Sequence, residues 1–191
     1  MSNVKVFENG LMQADPVTIG IDPSLTGFAI CFTSAARPEQ HETFVYKSPY
    51  RGIERLNDIV SFMMDTITEF ELMGHDVVNV AIEAAVMASP STLPLSELAG
   101  LVKYKLFHHF EDNDCKKPLK IPPMTLKKYA AGKGNAKKQE MLLQIYKRWG
   151  LEFNDDNAAD AYALARLATG VYINKVEEEI MEKISDPKYR D

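Results

Sequence analysis

Val17-Thr18-Ile19-Gly20-Ile21-Asp22, Pro23-Ser24-Leu25-Thr26-Gly27 and Phe28-Ala29-Ile30-Cys31-Phe32-Thr33 follow one another without a gap, and this stretch sets the fold class. Two apolar, β-branched runs flank a segment punctuated by Pro23 and Gly27, the pattern of two strands joined by a turn. A third strand fits Glu42 to Lys47, through Phe44-Val45-Tyr46. The period then changes. Ile53, Leu56, Ile59, Val60, Met63, Met64 and Ile67 recur at spacings of three and four, which predicts a helix over 52–73 stopped by Gly74. Val77-Val78-Asn79-Val80-Ala81-Ile82-Glu83 is nearly all apolar, as a strand covered on both faces is. Further on the residues predict a loop over 89–94, a helix over 95–110 and a short strand over 119–122. A short helix over 124–131, a glycine-containing loop over 132–135 and a helix over 136–149 follow. A core helix over 157–169 ends at Gly170, and an amphipathic helix lies beyond it. Antiparallel strands first, then strands alternating with helices, make a mixed α/β arrangement of five strands.

A chain of 191 residues suits one domain, and 46% apolar with 26% charged residues excludes a disordered chain, a collagenous chain and a disulfide scaffold. No apolar run approaches the roughly 20 residues of a membrane span, and Met1 to Pro16 has no apolar core of a signal peptide. Cys31 and Cys115 fit no metal spacing and are expected as reduced thiols. We divide the chain into an N-terminal extension (1–16), a domain (17–170) and a C-terminal helical tail (171–191). An intracellular location is expected, cytoplasmic or nucleoid-associated, or the host cell cytoplasm if the source is viral; no membrane partner is expected.

Net charge is −5, which alone disfavours a polyanion as partner. Its distribution argues the other way. Lys116 to Arg148 holds ten basic residues and one acid, Glu140, so this stretch carries +9 and the rest of the chain −14. A basic segment on an acidic body marks a site for a polyanion such as a nucleic-acid backbone.

The acids have a pattern of their own. Asp22 ends the first strand and Glu83 ends the fourth. Asp160 falls on the first turn of the last core helix, with Asp155 and Asp156 just before it. Strand ends of α/β sheets converge on one edge, where ligands collect. Three acids gathered there repel unless a cation lies between them, and magnesium suits an all-oxygen set. Two such ions about 3.5–4 Å apart hold the attacking and leaving oxygens of a phosphodiester.

With these motifs in order, the chain resembles the RuvC family of Holliday-junction resolvases. Ile19 to Gly27 resembles that family's opening strand, Val80-Ala81-Ile82-Glu83 its second acidic motif, Gly132-Lys133-Gly134-Asn135-Ala136-Lys137-Lys138 its glycine-lysine loop, and Asn157-Ala158-Ala159-Asp160-Ala161 its last motif. The match spans about 17–170. The resemblance implies an RNase H-like fold: a five-stranded sheet, an antiparallel hairpin unit followed by parallel strands, flanked by helices. It implies a homodimer that nicks opposing strands of four-way DNA junctions, leaving 5′-phosphate and 3′-hydroxyl ends, with two Mg2+ per site or Mn2+ in their place.

Carried over by position, Asp22, Glu83 and Asp160 take the places of three metal-binding carboxylates. The fourth place falls on Asn157, which offers a carbonyl oxygen but no base; the adjacent Asp156 is preferred. Lys127 and Lys138 match lysines near the scissile phosphate, with Lys133 and Lys137 as further DNA contacts. Where some members carry an aromatic wedge, this chain has Val86 and Met87. Three alternatives stay open. Gly20-Ile21-Asp22 with Thr26-Gly27 is similar to the first phosphate loop of sugar kinases and actin-like ATPases, although no second Asp-x-Gly loop follows. The missing fourth carboxylate suits a non-catalytic junction binder. A broader branched-DNA nuclease, cutting three-way junctions and flaps, needs the same residues.

Overall fold

The computed structural model describes residues 3–84, 93–111, 115 and 117–190. Strands β1 (Val4–Asn9), β2 (Val17–Asp22), β3 (Phe28–Ser34), β4 (His41–Tyr46), β5 (Val77–Glu83) and β6 (Leu119–Ile121) form one sheet in the order β1-β4-β3-β2-β5-β6. The first four are antiparallel to their neighbours, whereas β5 pairs parallel to β2 and β6 parallel to β5. The mixed sheet is the expected one with a strand added, since β1, taken from the sequence as an extension, pairs with β4.

Helices α1 (Gly52–Leu72), α2 (Leu93–His109), α3 (Pro123–Ala131), α4 (Lys138–Trp149), α5 (Asp156–Ala168) and α6 (Lys175–Ile184) cover the sheet, and a 3-10 turn spans Pro187–Tyr189. Side chains of a strand alternate between its two faces, and β2 shows what that does here. Val17, Ile19 and Ile21 enter a core with Leu56, Ile59, Met63 and Ile67 of α1 and Leu98, Val102 and Leu106 of α2. Thr18, Gly20 and Asp22 have the opposite parity and face α5, whose Ala158, Ala161, Tyr162 and Ala165 belong to the second core with residues of α3, α4 and α6.

Gly20 is where α5 comes closest. A Cβ built there would stand 2.1 Å from the Ala161 carbonyl oxygen and 2.2 Å from the Ala165 nitrogen. The alanine-rich face of α5 and a glycine in β2 together bring backbone onto backbone. Side chains from the sheet pin the helix, with Thr18 Oγ1 donating to the Ala165 carbonyl at 2.8 Å and Asn79 Nδ2 to the Ala168 carbonyl at 2.8 Å. Because α5 runs opposite to β2 and β5, its first turn lies at the edge where those strands end.

Several boundaries shift for local reasons. Helix α2 begins at Leu93 rather than 95, placing Pro94 in the first turn, where its missing N–H is no loss. Helix α4 begins at Lys138 behind Lys137, and α3 and α4 both end on left-handed glycines, Gly132 and Gly150. Helix α5 begins at Asp156, because the Asp155 carboxylate accepts from the N–H groups of Asn157 (3.1 Å) and Ala158 (3.4 Å) and caps the helix. Val86, Met87 and residues 89–92 of the expected loop lie outside the described residues. Cys31 and Cys115 are buried and not disulfide-bonded. Among the described residues no helix is long and apolar enough to cross a membrane.

Candidate active site

Ile21 of β2 pairs with Ile82 of β5 in parallel register, so Asp22 and Glu83 are the next residues along two adjacent strands. Asp22 shares the parity of Gly20, and Glu83 that of Ala81, which lies in the α5 core. Both carboxylates therefore project from the carboxyl edge of the sheet towards α5. The capped start of α5 supplies the rest. Asp156 is its first residue and Asp160 lies four residues on, so the two share one helix face. The sequence reading had placed Asp160 on the first turn; the Asp155 cap moves it one turn inward.

A cavity of about 170 Å³ is lined by Glu83, Lys127, Lys138, Asp156 and Asp160, with Met141 on its apolar side. Lys127 comes from α3 and Lys138 from the first residue of α4, so the loop 132–137 sets the spacing between the two ammonium groups. Lys138 Nζ donates to the Asp156 carboxylate.

The electrostatics explain the pairing. Asp22 is only 7% exposed. Burial first, then the charges of Glu83, Asp160 and Asp156, hold its carboxyl well above the usual carboxylate range, against the pull of Lys138. Burial also raises Glu83, with Lys127 opposing. Asp160 is pushed up to about 7 by burial, Glu83 and Asp156, with Lys127 and Lys138 opposing. Lys138 is in turn held above the usual lysine range, mainly by its bond to Asp156. Asp22, Glu83, Asp156 and Asp160 thus face two lysines.

As they stand, no three Asp, Glu, His or Cys side chains among the described residues are close enough together to hold one metal ion. The donor chemistry fits a hard divalent cation all the same. Every donor is a carboxylate oxygen, Asp22 is buried and the other three are partly buried, and a dication would offset the burial and the mutual repulsion that raise Asp22 and Asp160.

The remaining expected residues divide. Asn157 turns its amide towards the β2–β3 turn, where a Cβ on Gly27 would meet its Nδ2 at 2.6 Å. Asp156, not Asn157, lines the cavity. Lys133 lies outside it, paired with Glu140 at 2.6 Å, and Lys137 is exposed at the start of α4. The sequence reading missed Gly20 as the contact that seats α5 and Asp155 as its cap, though an Asp three residues before a helical alanine run is a readable capping signal.

The architecture has counterparts among solved structures. Thermus thermophilus RuvC in complex with a Holliday junction substrate matches with a TM-score of 0.60 and 23% identity, over 79% of this chain and 91% of that one. The chain has a RuvC-like fold. A second Thermus thermophilus RuvC structure matches with a TM-score of 0.58 and 19% identity, over 92% of this chain and 98% of that one. No protein-family model and no curated protein sequence matches the chain. A RuvC-like fold accounts for the mixed sheet flanked by helices.

Proposed function

We propose that this protein is a metal-dependent, structure-selective endonuclease that resolves four-way DNA junctions by paired nicks. One observation carries the proposal: the buried Asp22 and the partly buried Glu83, Asp156 and Asp160 gather as mutually repelling acids beside Lys127 and Lys138. A RuvC-like fold supports the substrate class, since one neighbour was solved with a Holliday junction.

In this reading Asp22, Glu83, Asp160 and Asp156 hold the cation, Mg2+ or Mn2+ in its place. A divalent cation there supplies Lewis-acid activation of water and neutralises charge on the phosphate. The chain's own residues do the rest. Lys127 and Lys138 place the scissile phosphate against the carboxylates. Lys138, which donates to the Asp156 carboxylate, would be available to the phosphate wherever Asp156 holds the cation instead. Lys133 and Lys137 contact the DNA backbone farther out and carry no base information. Cleavage leaves 5′-phosphate and 3′-hydroxyl ends.

Paired nicks need two sites related by symmetry, and α2 offers a face for a second copy. Leu93, Tyr104 and Phe107 are 68%, 59% and 44% exposed, and Gly100 lies between them on the same stripe.

A second reading, a non-catalytic junction-binding protein, is favoured by the spacing of the carboxylates as they stand. One experiment separates the two. A synthetic four-way junction, labelled on each strand in turn, is incubated with the protein in Mg2+ or EDTA. Symmetric nicks in Mg2+, absent in EDTA, are expected. Asp22→Asn should cut at least 1000-fold more slowly and still bind the junction. Binding without cleavage by the natural protein, or full cleavage by Asp22→Asn, overturns the nuclease.

A further inference from the structure

The last residues of the chain fold back onto the edge of the sheet. The Arg190 backbone bridges Leu119 of β6 antiparallel, and its guanidinium donates to the Lys117 carbonyl and to Asn79 Oδ1, both at 2.8 Å. Asp186 caps the 3-10 turn by accepting from the Lys188 N–H at 3.0 Å, and Tyr189 is 7% exposed. This anchoring makes Lys188 and Tyr189 one wall of a groove of about 490 Å³. Helix α2 forms the facing wall and β6 part of the floor.

Among the described residues that line the groove, cations outnumber anions. Lys103 of α2, Lys120 of β6 and Lys188 of the tail line it, three lysines from three elements. Among the described residues Glu83 is the one carboxylate lining it, at the end shared with the acidic cavity. Asp186 sits outside the lining and pairs with Lys188 Nζ at 2.6 Å, both side chains at least 46% exposed. The remaining surface is mostly apolar, contributed by Ile82, Ala99 and Pro122 among others. An apolar floor with a cationic rim suits a nucleotide, whose base has an apolar face and whose phosphates are anionic.

Glu83 therefore borders two openings: the cavity holding Lys127 and Lys138, and this groove. A strand with one phosphate at the carboxylates has a cationic path on each side of it. We propose that the groove is a second DNA subsite, seating the nucleotide on the far side of the scissile phosphate from α3 and α4, with its phosphates on Lys120 and Lys188. The tail after residue 170 is then part of the substrate surface. This inference rests on the nuclease reading of the adjacent site.

The test uses the full chain in EDTA and fluorescence anisotropy with two probes, a labelled four-way junction and a labelled single-stranded oligodeoxythymidine. Affinity is measured across salt concentration for the natural protein, Lys188→Gln and Lys120→Ala/Lys188→Ala. Each lost phosphate contact lowers the slope of log affinity against log salt by about one. Lys188→Gln is expected to lower it by about one, and the double variant by about two with roughly tenfold weaker binding at low salt. Asp186→Asn keeps the turn cap, frees Lys188 and should tighten binding. Natural slopes and affinities in all three variants overturn the groove while leaving the nuclease standing. A natural protein that binds neither probe overturns both.

Discussion

Asp160 ionises near pH 7 in the fold, against an ordinary value of 3.8, because burial and the charges of Glu83 and Asp156 oppose its ionised form. A raised carboxyl binds its proton more tightly in the folded than in the unfolded chain. Its contribution to stability is complete below about pH 4 and is lost as pH rises to about 7. A cation competes with that proton. The difference in melting temperature between Mg2+ and EDTA should therefore grow from pH 5 to pH 8 by calorimetry; a constant difference would show that the ion binds elsewhere. Asp22, Glu83 and Asp160 were legible in the sequence because each sits at the end of an apolar run or inside an alanine-rich helix, where an acid has no cheap solvation. The choice between Asp156 and Asn157 was legible only as a preference for Asp156. It turns on a one-residue shift of a helix start, and the Asp155 cap sets that start through two hydrogen bonds.

The contact between β2 and α5 fixes how two strand-end acids meet two helix acids. Gly20→Ala drives a methyl into the Ala161 carbonyl and the Ala165 nitrogen, both backbone atoms. Overpacking of this kind costs about 1–3 kcal/mol or more, and the displaced helix carries Asp156 and Asp160 with it. Urea unfolding should show the loss, and nicking should fall in protein that remains folded; unchanged stability would refute the close approach. A second joint ties the tail to the core. Arg148 donates to the Glu177 carboxylate and to the carbonyls of Tyr129 (2.5 Å) and Ala130 (2.7 Å), and Glu177 is fully buried. Removing one partner of a buried pair leaves the other uncompensated, so Glu177→Ala should cost roughly 3–5 kcal/mol in urea unfolding; a loss below about 1 kcal/mol would mean the pair is solvated. Neither joint was readable in advance. Gly20 resembles any strand glycine until its neighbour is known, and Glu177 sits among glutamates that are solvated. Strand β1 escaped for another reason: Val4, Val6 and Phe7 are mixed with Lys5 and Glu8 in a half-exposed edge strand, and its inner face shows in Phe7 against Phe153, with ring centroids 5.5 Å apart.

The fold sorts charge by position. Most of the basic stretch becomes β6, α3 and α4, which border the carboxyl edge of the sheet, where Asp22, Glu83, Asp156 and Asp160 gather. That basic stretch was visible in the sequence; the second cationic groove was not, because Lys103, Lys120 and Lys188 are far apart along the chain and meet only when the tail returns to β6. The exposed stripe of α2 leads to a further expectation. Sedimentation equilibrium should find a dimer at micromolar concentration, and Tyr104→Glu/Phe107→Glu should yield folded monomers. A natural protein that stays monomeric when bound to a junction would remove the basis for paired nicks. Beneath all of this lies the claim that Asp22, Glu83, Asp156 and Asp160 are the seat of divalent cations. Electron paramagnetic resonance of bound Mn2+ counts such ions directly. About two per chain are predicted, displaced by Mg2+ and lost in Asp22→Asn; a folded natural protein that binds no Mn2+, or an Asp22→Asn variant that keeps the full count, would contradict the account.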